Sequence, residues 1–243
     1  MARKKTDDRM TVIEHLTELR RRIMISIAAV GATAIVAYIF APDVIRWLLE
    51  YYTDAAPKGT DNHFIFTGPL DGFITRLRVA TYGGIILALP IWLWHLWRFI
   101  TPGLNPKEKR YAVPFITTSI ALFLAGGVVA LITLPQALHF LLTAGGQDLQ
   151  PLLAADKFIS LVTLMILAFG LAFEFPVVLV FLLIARVLKT RQLSKWRRWA
   201  IVLIFAFAAV VTPSQDPYSL FFMALPMVAF YEASILIGKV LKR

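Results

Sequence analysis

Six apolar runs separated by short polar segments decide the class of fold before any motif is considered. They cover roughly residues 23–40, 72–97, 111–134, 158–185, 199–212 and 218–237. About 20 apolar residues in a helix cross a hydrocarbon core of about 30 Å, and only a helix or a closed barrel satisfies its own backbone there. The chain is 58% hydrophobic with a mean hydropathy of +0.71, whereas soluble domains hold about 45–50% apolar residues. The expectation is an all-α polytopic membrane protein of six transmembrane helices. The fifth run covers only about 21 Å, so it must extend into flanking residues or thin the bilayer around it.

Charge orients the spans. Of 25 Lys and Arg, seven lie before the first run, four in residues 98–110, six in residues 186–198 and three after residue 238. The opposite side holds only Arg46, Lys58 and Lys157; Arg76 and Arg78, near the outer end of the second run, are expected to snorkel. Basic loops stay in the cytoplasm, so both termini are expected there, and an even number of spans follows. The net charge of +10 is thereby spread over loops, with no single patch for nucleic acid. Without cysteine there are no disulfides or thiolate sites. No small-residue cleavage site follows the first run, so no removable signal peptide is expected. The chain divides as residues 1–22, a cytoplasmic amphipathic helix opened by a Thr11/Glu14 capping box, 23–237, the bundle, and 238–243, a cytoplasmic tail. Ala41-Pro42 reads as a helix stop, and residues 43–71 as a segment too polar to span.

Few polar residues stand out chemically. Glu18, on the N-terminal helix, and Glu108, near the start of the third span, are carboxylates on adjacent cytoplasmic elements with Phe99 nearby. Glu108 could equally cap its helix; together the two acids could receive a guanidinium pair bidentately, followed by an apolar segment. Glu174 sits near the middle of the fourth run, where an acid costs about 2.5–3.5 kcal/mol on insertion scales. Pro176, two residues on, removes a backbone donor and is expected to kink the helix beside it. Asp216, in the tight residue 213–217 hairpin, suits either a helix cap or a partner contact. Trp92, Trp94 and Trp97, with Trp196 and Trp199, read as an interfacial belt. The four histidines lie on different elements, which argues against a metal site, and no phosphate loop or nucleophile elbow occurs.

Several of these stretches together resemble one family. His15-Leu-Thr-Glu18-Leu-Arg20-x-Arg22, Trp97-x-Phe99-Ile-x-Pro102-x-Leu104 with Glu108-x-Arg110, Phe169-Gly-x-x-Phe-Glu174-x-Pro176-Val, and Thr212-Pro213 with Asp216 are similar to TatC, the multispanning subunit of the twin-arginine protein translocase. The resemblance implies a signal-peptide receptor and translocase core in a prokaryotic plasma membrane. It implies binding of precursors with paired arginines, assembly with TatA/TatB-type single-span proteins, and self-association in a larger complex. Folded proteins would cross on the proton-motive force, with no cofactor, nucleotide or enzymatic chemistry. By the same resemblance Glu18, Glu108, Arg20 and Phe99 form the signal-peptide surface, and Glu174 is the family's membrane-embedded polar residue. The competing reading is a proton-coupled small-solute transporter with Glu174 as proton carrier, weakened by the absence of an internal repeat.

Overall fold

The structure, a computed structural model, describes residues 12–55, 64–100, 112–144 and 154–241. Helices follow in the order α1 (Val12–Ala55), α2 (Asp71–Leu87), α3 (Leu89–Ile100), α4 (Ala112–Thr143), α5 (Ala155–Phe173), α6 (Phe175–Ile184), α7 (Thr190–Val211) and α8 (Pro217–Val240). Among the described residues, four stretches are long and apolar enough to cross a membrane: Ile13–Thr53, Val113–Thr143, Ala155–Ile184 and Pro217–Val240. The α2–α3 pair, bent by 53°, qualifies as a further broken span. The chain is therefore an all-α, multi-pass membrane protein. α7 is 22 residues long because the helix begins at Thr190, well before the apolar run, and with its basic first half it is not among the stretches apolar enough to cross a membrane.

The N-terminal third differs from the sequence expectation. No boundary separates an N-terminal helix from the first span, and Pro42 does not end it: α1 is a single 44-residue helix that passes through Pro42. Beyond the proline, Ile45, Leu48, Leu49 and Tyr52 recur at helical spacing, which gives the segment an apolar stripe to bury. Leu48 and Tyr52 are fully packed. Tyr52 meets Phe64 and Phe158 edge-on at centroid distances of 5.0 and 5.1 Å, tying the end of α1 to the 64–70 turn and the start of α5. Asp71 closes that turn by accepting from the backbone N–H groups of Thr67 (2.8 Å) and Gly68 (2.6 Å).

A proline inside a helix leaves the carbonyl four residues earlier without its N–H partner. For Pro42 that carbonyl belongs to Tyr38, and Arg76 reaches it from α2 with both Nε and Nη2 at 3.4 Å. The same guanidinium lies 4.2 Å over the Tyr38 ring. For Pro135 in α4 the carbonyl is that of Leu131, and the Tyr51 hydroxyl donates to it at 2.7 Å. At the α2–α3 break the Trp92 indole donates to Ile85 O at 3.1 Å, in the last turn of α2. Arg78 donates to Asp156 O at 3.2 Å. Arg76 and Arg78 thus bind backbone carbonyls of neighbouring helices rather than snorkelling along their own.

Helices approach closely where a side chain is missing. A Cβ on Gly84 would lie 2.7 Å from Ala34 Cα, and one on Gly126 2.5 Å from Phe169 O. These contacts bring α2 against α1 and α5 against α4, the small-residue packing usual between membrane helices. The central core gathers Phe158, Ile159 and Phe169 of α5 with Leu183 of α6 and Met223 and Ile235 of α8. Only 6% of the most apolar window of α1 is fully buried, so this part of the helix lies on the outside of the bundle. Because the atom in the way at Gly126 is backbone and cannot yield, Gly126→Ala is expected to lower stability by about 1–3 kcal/mol. Nothing lies within 4 Å of a Cβ on Gly31, and Gly31→Ala is expected to raise stability by about 0.5–1 kcal/mol. Thermal unfolding of the two variants in detergent checks both signs.

Candidate functional site

The basic end of α1 packs across α3, and two clefts open between them. On α1, His15, Glu18, Leu19 and Arg22 share one face at three- and four-residue spacing. The Glu18 carboxylate holds Arg22 through Oε1, accepting from Nε at 3.1 Å and from Nη2 more closely. The pair is well covered, the side chains being 20% and 13% exposed for Glu18 and Arg22. Glu18 Oε2 is buried with no hydrogen-bond partner among the described residues, and the same is true of His95 Nδ1. Glu18, Arg21, Arg22, Ile25, His95 and Arg98 line a cleft of about 220 Å³.

Beside it runs an apolar groove of about 330 Å³, walled by Leu19, Ile23 and Ile27 of α1 and by Trp92, Leu96 and Phe99 of α3. The His15 ring stacks on Phe99, with centroids 4.3 Å apart and planes at 16°. α3 is fixed in turn by Trp97, which stacks on Phe115 of α4 at 4.5 Å and meets Phe181 of α6 edge-on at 5.4 Å. Trp97 is thus a core residue, and Trp92 a groove wall bonded to backbone. Trp94, Trp196 and Trp199 are the ones left exposed as a belt requires.

Of the residues expected to share this surface, the structure brings Glu18 and Phe99 to the α1–α3 junction. Arg20 is exposed and lines neither cleft. Two residues after Glu18, it falls on the far side of the helix. Glu108 lies outside the described residues. Sequence reasoning passed over Arg22 and His95, although Arg22 stands one turn after Glu18 and His95 one turn before Phe99.

The second polar feature is Glu174, the residue between α5 and α6. Pro176 stands at the start of α6, and Glu174 N–H turns back to Leu171 O at 3.1 Å while Val178 N–H bonds to Glu174 O at 3.1 Å. The expected kink is therefore a one-residue joint. Ser119 of α4 stands beside the Glu174 carboxyl group. Oε1 is buried without a partner among the described residues. Among the described residues Glu174 is the one charged residue on a groove of about 470 Å³ whose other walls include Leu171 and Val178, Leu203 and Phe207 of α7, and Met227 of α8.

Asp216 serves as the N-cap of α8. It accepts from Ser219 N–H at 2.8 Å through Oδ1 and from the Ser214 hydroxyl through Oδ2, and it is 1% exposed. Both oxygens are thus spent inside the hairpin.

Comparison with known proteins is consistent along the chain. A family description, Sec-independent protein translocase protein (TatC), matches residues 14–226. The TatC protein of Frankia casuarinae is 41% identical over 96% of this chain, which spans 66% of that longer protein. The TatC protein of Carboxydothermus hydrogenoformans is 38% identical over 97% of this chain and 96% of its own length. A crystal structure described as the twin arginine translocase receptor TatC superposes with a TM-score of 0.78 at 37% identity. It covers 95% of this chain and 100% of the solved one. The chain belongs to the TatC family of Sec-independent protein translocase proteins.

Proposed function

We propose that this TatC-family chain is the receptor for twin-arginine signal peptides and the core of a translocase that moves folded proteins on the proton-motive force. The observation that carries the reading is Glu18. Its carboxylate is largely withdrawn from water and already cradles one guanidinium through Oε1, while Oε2 lies buried in the same cleft. A carboxylate so placed gains most from a second charge-assisted hydrogen bond. The peptide's arginine pair meets Glu18 and Glu108, and its apolar segment follows the groove past Phe99 toward the bilayer. Arg20, on the outer face of α1, acts on the approach rather than in the cleft.

The groove around Glu174 is the docking surface for a TatA/TatB-type single-span helix that offers a hydrogen-bond partner to Oε1. Six spans and cytoplasmic termini in a prokaryotic plasma membrane complete the reading, with α2–α3 and α7 each counted as a span; the distribution of basic residues supports that orientation. The chain as a whole forms one membrane domain that self-associates in the working complex. Family membership weighs against a solute transporter. So does the groove itself, which among the described residues offers no second charged residue to relay a proton from Glu174.

Two measurements test this reading. Glu18→Gln is expected to weaken binding of a twin-arginine peptide to the purified chain roughly ten- to hundredfold, with a twin-lysine peptide binding poorly to both proteins. Unchanged affinity would remove the receptor assignment. For the partner surface, a photocrosslinker at Leu203 is expected to capture a single-span partner helix roughly three- to tenfold less efficiently in Glu174→Ala. Equal capture together with intact export would remove Glu174 from that role.

A further inference from the structure

The stack of His15 on Phe99 sets the register between α1 and α3. α1 runs away from this end of the bundle and α3 runs back to it. Each turn inward from the stack therefore brings a later residue of α1 level with an earlier one of α3. One turn inward these are Glu18 and His95, and both line the same cleft of about 220 Å³. A further turn inward come Arg22 and Trp92, both on the apolar groove.

Two acceptors in the Glu18–His95 layer are unspent. Glu18 gives Oε1 to Arg22. Its Oε2 and the Nδ1 of His95 are both buried without a hydrogen-bond partner among the described residues. Buried acceptors in this state cost free energy until a donor reaches them. Arg21, Arg22 and Arg98 also line the cleft, so an imidazolium would add to the positive charge that a cationic ligand meets on entering. The neutral ring adds none, and with its hydrogen on Nε2 it presents Nδ1 as an acceptor. One carboxylate oxygen and one ring nitrogen, on facing helices, suit a donor that spreads its N–H groups over several atoms. Guanidinium carries five in a fixed planar fork, whereas ammonium gathers three on a single nitrogen.

We propose that His95 is a specificity-determining residue of the peptide site: the guanidinium that meets Glu18 Oε2 also donates to His95 Nδ1, and its fork joins α1 to α3. This role rests on the receptor reading and supplies the second acceptor of the Glu18 layer. It also gives a physical reason for arginine over lysine at this place. An ammonium seated on Glu18 leaves Nδ1 unpaired, and a site with a buried polar group left unpaired discriminates against the ligand that leaves it so.

Binding of synthetic signal peptides with an Arg-Arg or a Lys-Lys pair to the purified full chain in detergent tests the assignment. His95→Leu is expected to weaken the Arg-Arg peptide roughly three- to tenfold and the Lys-Lys peptide less than about twofold, so that discrimination between them narrows. His95→Asn, whose side-chain oxygen falls near the place of Nδ1, is expected to restore most of the lost affinity. His95→Gln, whose amide reaches toward the place of Nε2, is not. Equal weakening of both peptides in His95→Leu, or equal behaviour of the Asn and Gln variants, would overturn the assignment, because either describes a residue that only packs α3 on α1. Helical content measured by circular dichroism identifies a variant that fails to fold, and if His95→Leu does so the Asn and Gln variants carry the test. Glu18→Gln measured alongside separates the two readings. Weakened Arg-Arg binding there, with discrimination unchanged in His95→Leu, overturns the role of His95 alone; unchanged binding in Glu18→Gln removes the receptor reading and the role of His95 with it.

Discussion

Hydrocarbon offers no hydrogen bonds, so a membrane helix that breaks must find a partner for each carbonyl the break exposes. This chain breaks or bends its helices repeatedly and answers with side chains from neighbours. Arg76 serves the Tyr38 carbonyl freed by Pro42, Tyr51 serves the Leu131 carbonyl freed by Pro135, and Trp92 serves Ile85 at the α2–α3 joint. Two of these bonds join different helices across the bundle, and the third pins a sharp bend. Pro226 in α8 has no such side-chain donor at Phe222 O among the described residues, so the device is frequent here rather than general.

The bends in turn place the two polar features. The 53° turn at Ala88 swings α3 across α1, which sets His95 and Phe99 against Glu18 and Arg22. Straight continuation of α2 would leave Glu18 on a bare, lipid-facing helix. Elsewhere in the bundle the Glu174 joint displaces α6 from α5 and opens the notch toward α7 and α8 that becomes the apolar groove. Proline-linked interruption of a helix therefore shapes both surfaces to which a function is assigned, the exposed backbone being served by the Trp92 indole at the first and by the joint's own N–H groups at the second.

Much of this was legible in the sequence. The apolar runs, the kink beside Glu174 and the cap of the 213–217 hairpin follow from hydropathy, from the missing proline donor and from short-range capping chemistry. Pro42 misled because a local rule was applied without its tertiary remedy: an arginine 34 positions further on, reading as a snorkelling residue, turned out to supply the carbonyl's partner. The aromatic belt was overcounted for a similar reason, since composition alone cannot separate Trp97, stacked on Phe115, from Trp94, exposed one turn earlier. Glu18 was found because it and Glu108 are carboxylates on adjacent cytoplasmic elements and because its stretch resembles TatC. Arg22 and His95 were missed because their importance arises only when α3 folds back onto α1.

The most direct test is a double-mutant cycle between Tyr51 and Pro135. If the Tyr51 hydroxyl stabilises the bundle by serving the carbonyl that Pro135 frees, Tyr51→Phe should cost about 1–2 kcal/mol in the native background. It should cost much less in Pro135→Ala, where the restored N–H bonds Leu131 O within α4. Reversible unfolding of the four proteins in mixed micelles supplies the numbers. A coupling energy of about 1 kcal/mol supports the account. Strict additivity would contradict it, and would mean that these cross-helix bonds decorate a fold held together by packing alone.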